Sequence, residues 1–356
     1  CGAALIMPLA VTQLSVAFPP ELRGKAMGIF SGVTGLAVLA GPTLGGAIAG
    51  GLAWQWIFWL NVPLGLLLVP LVFRRIEESF GPRSALDIGG LLLITGAALG
   101  LVWGLVRGNQ AGWGSLEVVG TLTAGVVLAL AFVGWERRES APMLPMRFFR
   151  SRAFSAGNAA GFLFFASLYG SGFFLAQFLQ TTLGYGPLGA GLRLLPWTAT
   201  LFVSAPLAGA LINLLGERAL MVGALLLQAV AMAWIGLIAR PGLAYVELIA
   251  PLIIAGFGAA AIPTGQNAVV SSVAMSDIGK ASGAFNMLRQ LGAAFGVAML
   301  AAVFATVGSF GSAQAFSDGF APAMGASAAL SFAGAVAGLW LPSRREKAVA
   351  PATAKA

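Results

Sequence analysis

The sequence has no histidine and a single cysteine, Cys1. Without histidine, the usual general base, His-dependent triads and His-ligated metals are excluded. One cysteine excludes an internal disulfide framework and a thiolate metal cluster. Charge is scarce as well: charged residues are 9% of the 356, with 20 basic residues against 12 acidic ones. The net charge of +8 does not point to nucleic acid. The basic residues are spread over short loops and form no aromatic-interleaved patch. A membrane-embedded protease would need paired aspartates, a Ser–base dyad or a metal motif, and the apolar stretches carry none of these.

Apolar residues fill the space that charge leaves. They are 58% of the chain, and the mean hydropathy is +0.90. That is the composition of a polytopic membrane protein. Eleven stretches approach the roughly 20 residues that a helix needs to cross a bilayer. They lie near 2–18, 24–48, 55–72, 86–106, 118–135, 155–179, 188–211, 219–238, 246–270, 281–307 and 320–341. Lipid offers no partner for backbone polar groups, so these are helices and the fold class is all-α. The short loops make successive helices antiparallel.

Loop charges set the orientation. One set of alternate loops carries Arg23, Lys25, Arg74, Arg75, Arg83, five arginines between 137 and 152, Arg218, Lys280, Arg344, Arg345, Lys347 and Lys355. The opposite set carries only Arg107 and Arg240, and Arg193 and Arg289 fall within spans. The charge-rich side is cytoplasmic by the positive-inside rule, which places the C-terminus inside and Cys1 outside.

Residues 41–65 read GPTLGGAIAGGLAWQWIFWLNVPLG and contain no charge. Ala37, Gly41, Gly45 and Ala49 share one helical stripe, along which two backbones can approach closely in a membrane. Pro42 lacks an N–H and bends the helix. Trp54, Trp56 and Trp59 follow at the membrane–water interface. Tight helix packing alone would also account for the glycines. Gly41, Pro42, Gly45 and Gly46 nevertheless resemble the antiporter motif of the major facilitator superfamily. Trp54, Trp56, Phe58, Asn61, Pro63 and Gly65 continue that resemblance, specifically to fourteen-helix drug:proton antiporters. Gln55 stands where the family usually has a basic residue. In the segment 209–218, Asn213 and Leu214 replace the Asp-Arg of the family's charged loop.

An internal repeat points the same way. A shift of 255 residues aligns 4–41 with 259–296 without a gap. Pro8 meets Pro263, Gly24-Lys25-Ala26 meets Gly279-Lys280-Ala281, and Phe30 meets Phe285. This is the parallel repeat expected between the two halves of such a transporter. The resemblance then implies a remnant of the N-terminal half at 1–85, two central linker helices at 86–135 and a cytoplasmic linker at 136–154. A six-helix C-terminal half follows at 155–342, with a disordered cytoplasmic tail at 343–356. Residues 2–8 resemble the second half of the family's fourth helix, which implies three missing helices and a fragment. A mature lipoprotein beginning at a lipidated Cys1 is the alternative.

Candidate cavity residues are polar and aromatic groups inside spans. Asn158, Phe162, Phe165, Tyr169, Phe173 and Gln177 recur every three or four residues and so share a helix face. Such a stripe serves packing or lines a pathway. By the resemblance, this helix opens the second half, where first helices line the route. Gln266 and Asn267 lie beyond Pro263, and Thr12 and Gln13 occupy the related place in the repeat. Each lone amide could equally tie helices together. Arg289 is set deep in its span, where an ionisable group is costly and serves function or a buried pairing. Its surroundings, Asn286, Gln290, Gly292 and Gly296, resemble the family's penultimate helix. No Asp or Glu lies equally deep. Asp87, three residues after Ser84, has capping-box spacing, with proton handling as its other reading.

The resemblance implies proton-coupled export of amphipathic drugs or metabolites by alternating access in the cytoplasmic membrane. It implies a monomer that uses the proton gradient, with no cofactor, metal or nucleic-acid partner, and contacts with membrane lipids. Export of a lipid or amino acid, or a non-transporting remnant, are the other readings.

Overall fold

The computed structural model describes residues 33, 37, 40–75, 87–139, 142–274 and 277–343. The expected first span with Thr12 and Gln13, the start of the second, Ser84 and the tail beyond 343 lie outside these residues.

Among the described residues there is no strand, and nine helices are long and apolar enough to cross a membrane. We number the helices α1 (40–51), α2 (Trp56–Trp59), α3 (Asn61–Arg75), α4 (Ile88–Ala111), α5 (Leu116–Glu136) and α6 (Arg152–Gln177). They continue as α7 (Pro187–Arg193), α8 (Leu195–Leu215), α9 (Glu217–Ile238), α10 (Tyr245–Phe257), α11 (Ala261–Val270), α12 (Ile278–Val307) and α13 (Ala313–Gly338).

Hydroxyl and carboxylate caps start several of these helices. Ser115, Ser151 and Ser312 accept from the amides of Val118, Phe154 and Ala315, so orphan donors at the helix starts are satisfied. Ser312 begins α13 several residues before the apolar run expected from 320. Asp87 caps α4 itself, accepting from Gly90 N at 2.8 Å. Helix α4 begins only after Asp87, so the capping is done by Asp87.

Two expected spans are interrupted. The run 188–211 divides at Leu194 into α7 and α8. Pro196 brings no N–H to the carbonyl four residues earlier. The run 246–270 narrows to a 3-10 turn at Gly258–Ala260, ahead of Pro263. There the Ser204 hydroxyl reaches across from α8 to Gly256 O at 2.9 Å, occupying a carbonyl at the break.

Packing follows the small residues. Helices α4 and α5 cross where Gly100 faces Gly125; a Cβ on Gly125 would sit 2.8 Å from Leu101 N. Helix α4 also leans on α12. Helices α6 and α13 are joined by buried hydroxyls: Ser167 Oγ lies 2.8 Å from Ser327 Oγ and 2.7 Å from Ser331 Oγ. The C-terminal helices enclose two apolar clusters. One holds Phe174, Phe178, Phe316 and Phe320, with Phe178 and Phe320 stacked 4.3 Å apart. The other holds Phe148, Phe154, Phe165, Met221 and Phe285.

The connection between α5 and α6 is anchored. Leu144 and Phe148 are buried, Arg147 pairs with Asp277 at 2.8 Å, and Lys280 Nζ donates to Pro142 O at 2.5 Å. At the opposite ends of the helices, the two arginines that break the charge asymmetry are each matched by a glutamate. Arg107 meets Glu117 at 3.0 Å, and Arg240 meets Glu247 at 2.9 Å.

Candidate functional site

Helices α6 and α12 meet backbone to backbone. A Cβ on Gly292 would stand 2.5 Å from Phe162 O, one on Gly296 would collide with Ala166 O, and one on Gly170 would lie 2.9 Å from Gly296 O. Close approach of this kind is what small residues four apart permit. Arg289 precedes Gly292 by three residues, so it sits one turn from the crossing and on the same side.

Arg289 is the twelfth residue of α12, roughly 17 Å from the helix start. It is half-buried, and its guanidinium carbon lies 5.5 Å from the Phe165 ring centre. That is cation–π distance. Its Nε is buried without a hydrogen-bond partner. Phe165 stacks on Tyr169 at 6.2 Å and meets Phe285 edge-on at 6.4 Å, while Phe162 packs on Phe295 at 5.6 Å. Tyr169 and Phe173 are nearly half exposed. One ring, Phe165, thus meets the cation, and Tyr169 and Phe285 pack against that ring.

The remaining expected residues distribute as follows. Asn158 is 3% exposed; it donates to Phe154 O at 2.8 Å, and its own Oδ1 is buried without a partner. Gln177 is half-buried at the far end of α6, a long way along the helix from Asn158. Asn286 donates to Ser282 O at 3.1 Å, one turn before Arg289. Asn267 donates to Glu217 Oε1 at 2.6 Å and so ties α11 to the start of α9. Gln266, beside it, is exposed. Phe165, Tyr169 and Arg289 therefore come together, whereas Asn267 is engaged by Glu217 and Gln266 is exposed. Phe285 and Phe295 join the site without having been singled out in the sequence. Their spacing from Arg289, four before and six after, gave no signal apart from helical packing.

The glycine-rich motif makes its close contact at Gly46. A Cβ there would be 2.5 Å from Pro187 O, and one on Gly191 would collide with Pro42 O. Helix α1 thus crosses α7 through a glycine from each side. At Gly41 and Gly45 a Cβ would meet nothing within 4 Å among the described residues. The close approach expected at Gly41 therefore falls one turn later. Two residues beyond Gly191, Arg193 is clamped between rings, 3.4 Å from the centre of Tyr185 and 5.3 Å from Tyr245. Trp54, Trp56 and Trp59 are exposed, and Asn61 Nδ2 donates to Ile57 O at 3.2 Å. Pro63 and Gly65 follow in α3.

At the start of α4, Asp87 Oδ1 accepts from Gly90 N and from the Trp135 indole at 2.9 Å. Its Oδ2 and Glu136 Oε1 both point over Gly90. The Gly90 amide holds the Asp87 carboxyl below the usual carboxylate range; desolvation opposes this, and Trp135 and Glu136 add to it. Among the described residues, no group of three or more Cys, Asp or Glu side chains could hold a metal.

The sequence profile of the Major Facilitator Superfamily matches residues 1–297 and again 157–356. The chain belongs to this superfamily. It is a multi-pass membrane chain. It is 36% identical over 310 residues to the tetracenomycin C resistance and export protein of Streptomyces glaucescens, covering 85% of this chain and 57% of that one. It is 31% identical over 307 residues to the multidrug resistance protein Stp of Mycobacterium tuberculosis, with the same two coverages. Among solved structures, the nucleoside transporter NupG superposes with a TM-score of 0.40 at 14% identity, covering 86% of this chain and 88% of that one. The chain spans a little over half the length of these curated relatives.

Proposed function

We propose that the protein to which these residues belong is a proton-coupled exporter of amphipathic organic compounds. It works by alternating access in the cytoplasmic membrane, with its C-terminus in the cytoplasm. The observation that carries this reading is Arg289, a half-buried cation held deep in α12 against Phe165. A membrane-embedded arginine is costly unless it serves function or a buried pairing. Here its Nε has no hydrogen-bond partner, and the ring it meets is stacked on Tyr169.

In this reading the rings bind the apolar body of the substrate, and Arg289 responds to charge on the substrate or on a proton-carrying carboxylate. The crossing of α1 and α7 at Gly46 and Gly191 is the packing seam that limits proton leak. The pair α4–α5 is the central linker pair of a fourteen-helix architecture, and the protein acts as a monomer that draws on the proton gradient and uses no cofactor. Relatives named for tetracenomycin C export and multidrug resistance support the substrate class. The test is Arg289→Ala in the full-length protein, expressed in a pump-deficient host. Normal amounts in the membrane with no drug efflux support the reading, and wild-type efflux rejects it.

A further inference from the structure

A second kind of site lies away from the aromatic cluster, where the start of α6, the start of α9 and the end of α13 meet. A cavity of about 610 Å³ there is lined by Arg152, Arg218, Val336, Trp340, Leu341 and Pro342. An adjoining groove of about 430 Å³ shares Arg218 and Leu339 with it and runs along α9. Its floor is Ala219, Val222, Gly223 and Leu226, which are spaced three or four apart and so form one helix face. Gly223 widens it, since a Cβ there would meet nothing within 4 Å. No acidic residue lines either part, and among the described residues neither arginine has a carboxylate partner.

We propose that this groove binds an anionic phospholipid of the cytoplasmic leaflet. The phosphate sits between Arg152 and Arg218, and one acyl chain lies along the α9 face. The argument is directional. By the loop charges, the arginine end is at the cytoplasmic surface, and the apolar end then points into the hydrocarbon. From Arg218 to Leu226 the helix rises roughly 12 Å, within the half-thickness of a ~30 Å core. Guanidinium forks match phosphate oxygens, and basic pockets between helices on the cytoplasmic side suit anionic head groups. Trp340, well exposed at the rim, has the amphipathic ring that settles at this depth. The chain's own continuation does not complement the pocket, because Arg344, Arg345 and Lys347 outnumber Glu346.

The test is lipid retention by the delipidated full-length protein, measured by native mass spectrometry against phosphatidylglycerol and phosphatidylcholine. Wild type retains phosphatidylglycerol about tenfold better, as two arginine contacts allow. Arg152→Ala with Arg218→Ala removes the preference. Gly223→Leu, which fills the groove and leaves both arginines, weakens retention of phosphatidylglycerol and carries the test should the double variant misfold. Equal retention of the two lipids by wild type overturns the proposal. So does full displacement of phosphatidylglycerol by inorganic phosphate, which would mark a free-phosphate site. A gain in phosphatidylglycerol retention on removing 344–356 would show that the chain itself covers the groove, and also overturns it.

Discussion

The guanidinium carbon of Arg289 lies 5.5 Å from the centre of the Phe165 ring, across the crossing of α12 and α6. Gly292 and Gly296 bring the two backbones close enough for this contact. Replacing Arg289 removes a half-buried cation and its contact with Phe165. Arg289→Ala is expected to lower export at least about tenfold, equivalent to roughly 1.4 kcal/mol, without loss of protein from the membrane. Arg289→Lys restores only part, because a point charge replaces the planar fork. The measurement is dye efflux normalised to membrane-embedded protein.

Gly46 and Gly41 separate packing from motif. Gly46→Leu drives a side chain into the Pro187 carbonyl, whereas Gly41→Leu enters open space among the described residues. Overpacking of this kind costs roughly 1–3 kcal/mol. Gly46→Leu is expected to cause the larger fall in thermal stability and the larger proton leak. Equal effects of the two substitutions would remove the α1–α7 crossing from the account.

Asp87 makes stability depend on acid. Its folded pKa is depressed, so its contribution is present above the unfolded value of about 4 and is lost as pH falls through the lower folded value. Asn is as good an N-cap as Asp and does not titrate in this range. Asp87→Asn should therefore leave Tm near neutral pH almost unchanged and flatten its fall in acid. An identical acid profile in the variant would show that the cap does not titrate.

The orientation rests on loop charges. With Cys1→Ser as background, single cysteines at Arg138 and Gly112 should react with an impermeant thiol reagent from opposite sides, Gly112 from outside. Labelling of both in sealed cells would contradict the opposite-sided placement, and labelling at 138 alone would reverse the orientation.

Much of this was readable in the chain because a bilayer imposes length and polarity on each span. The helices α4 to α6, α9, α12 and α13 follow apolar runs, whereas the run 246–270 divides at Gly258–Ala260 into α10 and α11. Asp87 is itself the cap of α4, not the third residue after one. The division at Leu194 falls just ahead of Pro196, and the uninterrupted apolar run 188–211 read as one helix. Which glycine makes contact could not be read, because Gly41, Gly45 and Gly46 are chemically alike and only the position of Pro187 distinguishes them. Arg289 was legible as an isolated charge in an apolar run. Its contact with Phe165 was not, although Phe165 stood among the candidates, since the two lie more than a hundred residues apart; Phe285 and Phe295 look like ordinary core. Asn267 read as a cavity amide, but its partner Glu217 comes from the start of another helix.

Proton-coupled export is tested most directly by reconstituting the full-length protein in liposomes with a pH-sensitive dye inside and adding substrate outside. The account predicts saturable, substrate-dependent proton movement opposite to the substrate, abolished by Arg289→Ala and by an uncoupler. Substrate transport that proceeds with no accompanying proton movement would contradict it.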